Sequence, residues 1–549
     1  MDSIKDVLQN LALAEIEKLL NNSGSSLQII PNMPLPDHDF IQENCNMLIH
    51  DELQYDRQIL EEEHDVLYSS LTLEQRNGFD TIMESAAQDI GGLYFLYGYG
   101  GTGKTFVWKT LAAAIRSKGE IVINVASSGI AALLLSGGRT AHSRFSIPIN
   151  ISEDSYCSIS PDSDLAELIN KAKLIIWDEA PMMHRYCFEA LDRTMRDIIR
   201  SPNKGKPFGG KVVVLGGDFR QILPVVPKGS RADIVHASLN YSHLWRHCKV
   251  IKLTKNMRLL AGCVDSESQQ IKEFAEWLLK IGEGKLGKQN DGEADIVFPE
   301  ELLVQSNGDH VEAIVASIYP KLSENMNNPQ YFQDKAILAP TNEEVDHVNE
   351  HVLSIIDSDE HIYYSSDSLC PDEDNDIFAQ QLYSPEILNG LKVPGIPNHK
   401  LVLKPGVPIM LLRNINQSKG LCNGTRLLIQ RLGNNTIEAT IISGTFIGEV
   451  THIPRMVISP TDKKIPVKFQ RRQFPISVCY AMTINKSQGQ SLSRVGLFLR
   501  KPVFTHGQLY VAVSRVTSKQ GLKILICDEN ENLTNTTKNV VYKEVLQRI

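Results

Sequence analysis

The sequence predicts an α/β protein of two tandem parallel-sheet domains, the second carrying a small β-barrel insertion. Three observations predict it. Apolar strand-like runs alternate with helical stretches from Leu93 to Leu215, and the alternation resumes from Ala336 to Ile526. Between Lys400 and Phe469 the texture changes to short β-rich runs separated by Gly and Asn turns. Alternation of this kind builds a parallel sheet covered on both faces, and the β-rich stretch suits a small barrel.

The elements follow in order. Residues 1–65 read as an N-terminal arm: Asn21 to Ser26 is polar, and Pro31, Pro34 and Pro36 oppose regular structure. Leu71 to Ala87 reads as a helix with Thr72 as N-cap. Residues 66–260 form the first domain. Leu93–Tyr97 is a strand ending in a Gly-rich turn, Lys104–Arg116 a helix, Ile121–Val125 a strand and Ile130–Leu135 a helix. Leu174–Trp177 and Val212–Leu215 are buried strands. The second domain takes residues 261–399 and 470–549. Its strands are Ala336–Ala339, Ile476–Tyr480, Val495–Leu499 and Leu522–Ile526, with helices at Asn342–Ile356 and Gly507–Val513. Residues 357–385, polar and acidic, read as a loop. Residues 400–469 are the inserted barrel, with runs at Val407–Leu412, Thr425–Gln430 and Thr436–Ile442.

The chain has 549 residues, room for several domains at ~100–200 residues each. Its apolar fraction of 42% is that of an ordinary core. No apolar run approaches the ~18 residues that span a bilayer, so no membrane role is expected. The nine cysteines include no C-x-x-C pair, which speaks against a structural metal and a disulfide framework. No secretory or transit signal is seen. The net charge of −9 does not advertise a nucleic-acid binder, yet a local basic groove is compatible with it.

Gly98-Tyr99-Gly100-Gly101-Thr102-Gly103-Lys104-Thr105 matches G-x-x-x-x-G-K-[ST], with a strand before and a helix after. Such a loop wraps phosphates in backbone N–H groups. Lys104 supplies charge to the β and γ phosphates, and Thr105 offers a hydroxyl to magnesium. ATP and Mg2+ are the expected ligands. The apolar strand ending in Asp178-Glu179 suits the second half of the site, Asp178 holding magnesium and Glu179 polarising the attacking water. Val212 to Gln221 is another buried strand ending in a polar cluster, which offers Gln221 as a γ-phosphate sensor. A P-loop alone does not choose among kinases, GTPases and motors. Arg515, late in the second domain, could reach the nucleotide as an arginine finger or sit in a surface ion pair.

The fuller set of motifs resembles superfamily-one helicases of the RecD/Pif (petite integration frequency) type. The pieces are LTLEQRNGFD, GYGGTGKT, ASSGIAALLLSGGRTAHSRF, LIIWDEAPM, FGGKVVVLGGDFRQILPV, LTKNMR, ILAPTNEEVDHVN, YAMTINKSQGQSL and LYVAVSRV, in the family's order. The DEAP form and LLRNINQSKGLCNGTRL resemble the branch found in Helitron transposons and their eukaryotic relatives. The resemblance implies two RecA-like domains and an SH3-like barrel. It implies that Gln75 reads adenine, that Lys104 and Thr105 hold phosphate and magnesium, and that Asp178 and Glu179 are metal ligand and catalytic base. Gln221 senses the γ-phosphate, Arg258 and Arg515 reach the phosphates from the far side, and Gly489 lies near the nucleotide. Thr140, His142, Thr483 and Lys486 would touch the DNA strand, and residues 146–170 would hold the wedge that splits the duplex.

The implied activity is ATP-dependent 5′-to-3′ unwinding by a monomer acting on single-stranded and forked DNA. The implied services are repair, recombination or telomere maintenance, in the nucleus or else the mitochondrion. Two departures stand out. No His-x-His pair or nuclease domain precedes the P-loop, so the chain reads as a motor alone. The family's DEAS or DEIS form is here Asp178-Glu179-Ala180-Pro181. A translocase that does not unwind, and a silent transposon-derived remnant, remain as alternatives.

Overall fold

The computed structural model describes the chain apart from residues 1–8, 11, 15, 18–19, 21–25, 38–45, 201–202, 204, 258–264, 288–290, 307, 371–382 and 461–467. It forms two compact units. One comprises Asp51–Leu322, Tyr331–Val352 and Tyr480–Ile549. The other comprises Met1–His50, Ser323–Gln330 and Leu353–Cys479.

The larger unit holds both parallel sheets. The first has six strands in the order Arg139–Thr140, Ile121–Ala126, Ala172–Asp178, Val212–Gly217, Gly92–Gly98 and Cys248–Leu253, every neighbour parallel. Its central strands are mostly apolar because helices cover both faces; all of Val212–Gly217 is buried. Beneath lies a core in which Leu96, Val107, Trp108, Leu111, Val122, Ile176 and Val214 meet. The second sheet runs Ala481–Thr483, Lys335–Ala339, Arg494–Leu499 and Leu522–Ile526, again parallel. Glu293–Val297 and Thr536–Val540 form a separate antiparallel pair.

Local chemistry explains the helices that matter here. Leu73–Ala87 begins at a capping box, in which Thr72 Oγ1 accepts from Gln75 N and Gln75 Oε1 accepts from Thr72 N. Lys104–Arg116 begins at Gly103, whose φ of 78° suits the last residue of the phosphate loop.

Residues 51–65 differ from the expected arm. Arg57–Ser69 is a helix capped by Asp56. It lays Tyr68 against Phe79, ring centroids 5.2 Å apart. Its outward face carries Glu61, Glu62 and Glu63, so the inward face is too narrow to show as an apolar stripe. Just before it, buried Glu52 bonds both Arg116 and Arg144 at 3.0 Å.

The smaller unit is antiparallel. A five-stranded sheet runs Val450–Pro454, Thr436–Ile441, Arg426–Leu432, Pro408–Leu411 and Ile476–Val478. A three-stranded sheet joins Ser366–Leu369, Phe469–Gln473 and Met456–Ile458, and Lys400–Leu403 pairs with His361–Tyr364. Thus the stretch expected as a loop at 357–385 contains two strands, with 371–382 outside the described residues. The expected strand Ile476–Tyr480 also divides. Ile476–Val478 pairs antiparallel with Pro408–Leu411, and Ala481–Thr483 joins the second parallel sheet. A continuous apolar run carries no mark of which sheet each half enters.

The three-stranded sheet is stapled by a fully buried ion pair. Arg471 Nη2 meets Asp367 Oδ2 at 2.6 Å, and the same guanidinium donates to the carbonyls of Leu388, Leu391 and Pro397. Removing the carboxylate leaves a buried charge without its partner, which costs about 3–5 kcal/mol. Asp367→Ala is expected to lower the stability of this unit by that amount in urea unfolding, and Asp367→Asn by less.

Candidate active site

The phosphate loop sits at the C-terminal end of Gly92–Gly98, where parallel sheets place their ligands. Thr102 N donates to Tyr99 O, Tyr99 Oη donates to Thr254 O, and Met257 N donates to Gly101 O at 2.8 Å. These bonds shape the loop. Lys104 Nζ rests on Gly98 O at 2.5 Å, which leaves two of its three N–H donors for phosphate. Gln75, with 1% exposure, donates from Nε2 to Thr102 O and so braces the loop; that nitrogen carries a second N–H. Gly100 faces open space, and a small cleft opens beside it, walled by Tyr99, Phe274, Leu278, Tyr510 and Ser514. Thr105 lies half-buried in the first helical turn.

The two carboxylates lie at the end of Ala172–Asp178. Asp178 Oδ1 is buried and has no hydrogen-bond partner, a costly state for a carboxylate oxygen. A magnesium ion held with Thr105 fits that vacant acceptor. Glu179 has φ 51°, the left-handed region, which turns the chain sharply into the short helix Ala180–Met182. Burial pushes its carboxyl up to about 7, and the neighbouring Asp178 charge adds to this. Lys104 and Arg515 oppose the shift. Pro181 sits inside that short helix and its ring lies against Gly217, so the departure from the family's form leaves both carboxylates in place.

The sensor turn follows Val212–Gly217. Gln221, 4% exposed, accepts at Oε1 from Gln488 Nε2 at 2.7 Å. Arg515 is nearly buried: Nε donates to Val511 O, and Nη1 to the carbonyls of Gln490 and Ser487. Its charge nevertheless reaches Glu179 across the gap between the two sheets. Gly489 faces Ala131, 3.6 Å from where a Cβ would stand. Arg258 lies outside the described residues, although Met257 beside it is fixed to the phosphate loop.

The residues expected to touch the strand lie at the ends of both sheets. Thr140 ends the edge strand Arg139–Thr140 beside Ala126, and His142 follows in a helix held by the Glu52–Arg144 pair. Burial lowers the pKa of His142, which favours its neutral form. Thr483 caps the turn Ile484–Ser487, its Oγ1 accepting from Lys486 N, and the Lys486 side chain is exposed. In the expected wedge, residues 150–163 are irregular and Asp164–Lys171 is helical. Cys157 N donates to Thr194 Oγ1 and Arg193 to Ser155 O, while Ile149 and Tyr156 stay exposed.

Sequence reasoning missed the residues that join the two sheets. Tyr510 Oη donates to Asp218 Oδ2 at 2.8 Å, and His506 Nε2 donates to Phe219 O at 2.8 Å. His506 Nδ1 accepts from Tyr542 N, so the ring is neutral with its proton on Nε2, and burial pushes its pKa down to about 4. Asp218 and Gln488 lie inside recognisable motifs, but the partners are 292 and 267 positions apart, beyond any local pattern.

Comparisons with known proteins match this arrangement. The family described as PIF1-like helicase matches residues 70–292, and the DNA helicase Pif1 2B domain matches residues 386–432. The ATP-dependent DNA helicase PIF1 of Xenopus laevis is 26% identical over 442 residues, covering 79% of this chain and 59% of its own. The Homo sapiens PIF1 is 27% identical over 441 residues, covering 79% of this chain and 58% of its own. This chain therefore spans less than two thirds of those relatives' length. Campylobacter jejuni Pif1 is 26% identical, covering 78% of this chain and 88% of its own. A crystal structure of Pif1 helicase from Candida albicans matches with TM-score 0.58 at 22% identity, covering 87% of this chain and 98% of that one. A structure of Bacteroides Pif1 bound to ssDNA gives TM-score 0.58 at 22% identity, covering 83% of this chain and 92% of that one. At such identities the likeness establishes the fold.

The loop geometry makes Gly103 the sensitive position. At φ 78° a Cβ would stand 2.4 Å from Gln75 Nε2 and 3.1 Å from Met257 Cγ. Gly103→Ala is expected to destabilise the loop by more than about 1 kcal/mol. Nucleotide affinity, measured with a fluorescent ATP analogue, should fall accordingly, while Gly100→Ala, which meets nothing within 4 Å, should bind far better.

Proposed function

Because residues 70–292 match the PIF1-like helicase family and residues 386–432 match the Pif1 2B domain, we propose that this chain is an ATP-driven DNA helicase that moves 5′-to-3′ on single-stranded DNA and unwinds forked duplex. One observation carries the reading. A P-loop, two carboxylates and a glutamine on the first parallel sheet meet an arginine from the second, whose charge acts on the same Glu179. A P-loop enzyme of one sheet needs no such second half. The fold likeness to Pif1 helicases supports the same choice.

The residues divide the work. Lys104 and the loop N–H groups bind the β and γ phosphates of ATP, and Gln75 with the cleft beside Tyr99 receives the base. Asp178 and Thr105 would hold magnesium, which supplies charge neutralisation for the phosphates. Glu179 as carboxylate takes the proton of the attacking water. Gln221 donates to the γ-phosphate, and Arg515 and Arg258 stabilise charge on it from the far side. Gly489 lines the second-sheet side of the gap. Closure and reopening of that gap moves the strand, gripped at Thr140, His142, Thr483 and Lys486. Phosphate contacts dominate such a grip, so binding is salt-sensitive and weakly sequence-dependent. Ile149 and Tyr156 give the 146–170 segment an apolar tip suited to parting base pairs.

The domain division of this reading is 66–260 for the first motor domain and 261–399 with 470–549 for the second, the barrel inserted at 400–469. The place of action is the nucleus or the mitochondrion, as a monomer serving repair, recombination or telomere maintenance. The similarity to ATP-dependent DNA helicases of Xenopus laevis and Homo sapiens supports action on DNA.

ATP hydrolysis with and without single-stranded DNA tests the reading, beside Lys104→Ala. Strong DNA stimulation that the variant abolishes is expected. Turnover indifferent to DNA would overturn it. Stimulated turnover without unwinding of a fork would leave a translocase.

The pH dependence is set by Glu179. A base must be ionised to act, and the ionised fraction of a carboxyl at about 7 grows with pH. Turnover per bound ATP should therefore rise through neutrality, level off about one unit above that pKa, and fall about tenfold per unit on the acid side. Glu179→Gln should lower the rate by roughly 10²–10⁴ and flatten the profile.

A further inference from the structure

The turn Thr483–Gln490 touches three functional elements at once. At one end Thr483 and Lys486 stand ready for the strand. In its middle, Gln488 Nε2 donates to Gln221 Oε1 at 2.7 Å. The carbonyls of Ser487 and Gln490, which flank Gln488, hold Arg515. Gln488 is 2% exposed, and its own Oε1 is buried without a hydrogen-bond partner. An acceptor left so costs about 1–3 kcal/mol. The arrangement needs a reason to exist.

The chemistry of the amide provides one. A carboxamide has a donor end and an acceptor end. A γ-phosphate offers acceptors only, so Gln221 can serve it with Nε2 alone. A donor placed on Gln221 Oε1 fixes the amide the right way round. Among the described residues the hydrogen bond given to that oxygen comes from Gln488. We propose that Gln488 is a positioning residue that orients the Gln221 amide with its N–H end towards the γ-phosphate. Its place in the strand-gripping turn lets nucleotide state and strand affinity influence each other. Such influence is reciprocal by thermodynamic necessity. This inference rests on the motor reading above and names the part of that site that connects its two ligands.

Donor chemistry at position 488 distinguishes orientation from packing. Gln488→Glu keeps the shape but offers only acceptors, so it draws Gln221 Nε2 to itself and turns the wrong end to the phosphate. Loss of one such donor costs about 100-fold in kcat with little change in KM. Gln488→Met keeps volume and adds no charge; it frees the amide to rotate and should cost roughly tenfold. In a Gln221→Ala background neither change should add more than about twofold, because only residues acting through each other are non-additive. The readouts are kcat and KM for DNA-stimulated ATP hydrolysis, and single-strand affinity with and without a non-hydrolysable ATP analogue. The analogue's effect on strand affinity should shrink towards none in both variants. Thermal melts establish that each variant folds; if Gln488→Glu does not, the Gln488→Met and Gln221→Ala pair decides. Full additivity with Gln221→Ala, or an unchanged effect of the analogue, would overturn the assignment while leaving the motor reading intact. A parent protein without DNA-stimulated turnover would overturn both.

Discussion

The contact between the turn Asp218–Gln221 of the first sheet and the helix Gln508–Val513 of the second is the constraint on which the site depends. Asp218 is fully buried and accepts from Tyr510 Oη, from Arg220 and from the backbone N–H of Arg220. Burial, followed by the Asp218 charge, keeps the Tyr510 phenol protonated, so it remains a donor. Arg220, whose burial opposes its charge, is held cationic by Asp218, the surrounding tyrosines and Glu283. His506 adds a neutral bond to the next carbonyl. Gly507 approaches the turn so closely that a Cβ would stand 2.3 Å from Arg220 O. These groups fix Gln221, two residues on, against the second sheet. Without them the arginine and the glutamine would belong to separate bodies, and a charge on one could not bear on the other.

Breaking any one member of this cluster leaves another buried and unpaired, which is why such networks hold as a unit. The same logic runs through the first sheet. Glu52 lies between Arg116 and Arg144, and Arg144 is the helix neighbour of His142. The segment expected as an arm thereby holds the helix that carries His142.

Much of this was legible in the sequence, for a physical reason. The phosphate loop, Asp178 with Glu179, and Gln221 each follow an apolar run that enters a parallel sheet, and ligand sites lie at such ends. The helix Lys104–Arg116 and the strand Leu522–Ile526 emerge at the residues expected, because glycine and polar boundaries mark them. What stayed hidden has no local signature. Arg57–Ser69 carries its burial on few residues amid many charges. Ile476 to Thr483 changes sheets inside one apolar run. The bonds from Gln488, His506 and Tyr510 join residues 267, 287 and 292 positions apart. The resemblance to a helicase family supplied Arg515 and Thr483 as roles; only the fold supplies their neighbours.

Three departures from a satisfied interior fall within this one cleft: the left-handed backbone of Glu179, the orphaned Asp178 Oδ1 and the orphaned Gln488 Oε1. Each costs on the order of 1–3 kcal/mol in the ligand-free protein. A core selected for stability alone would remove them; an apolar side chain such as Leu for Asp178 or Met for Gln488 would serve. Their retention is intelligible if ligands complete them, a cation at Asp178 and a rearranged turn at Gln488. Nucleotide binding would relieve that cost. That relief is a differential interaction with two states of the site, and only a differential interaction can move one half against the other.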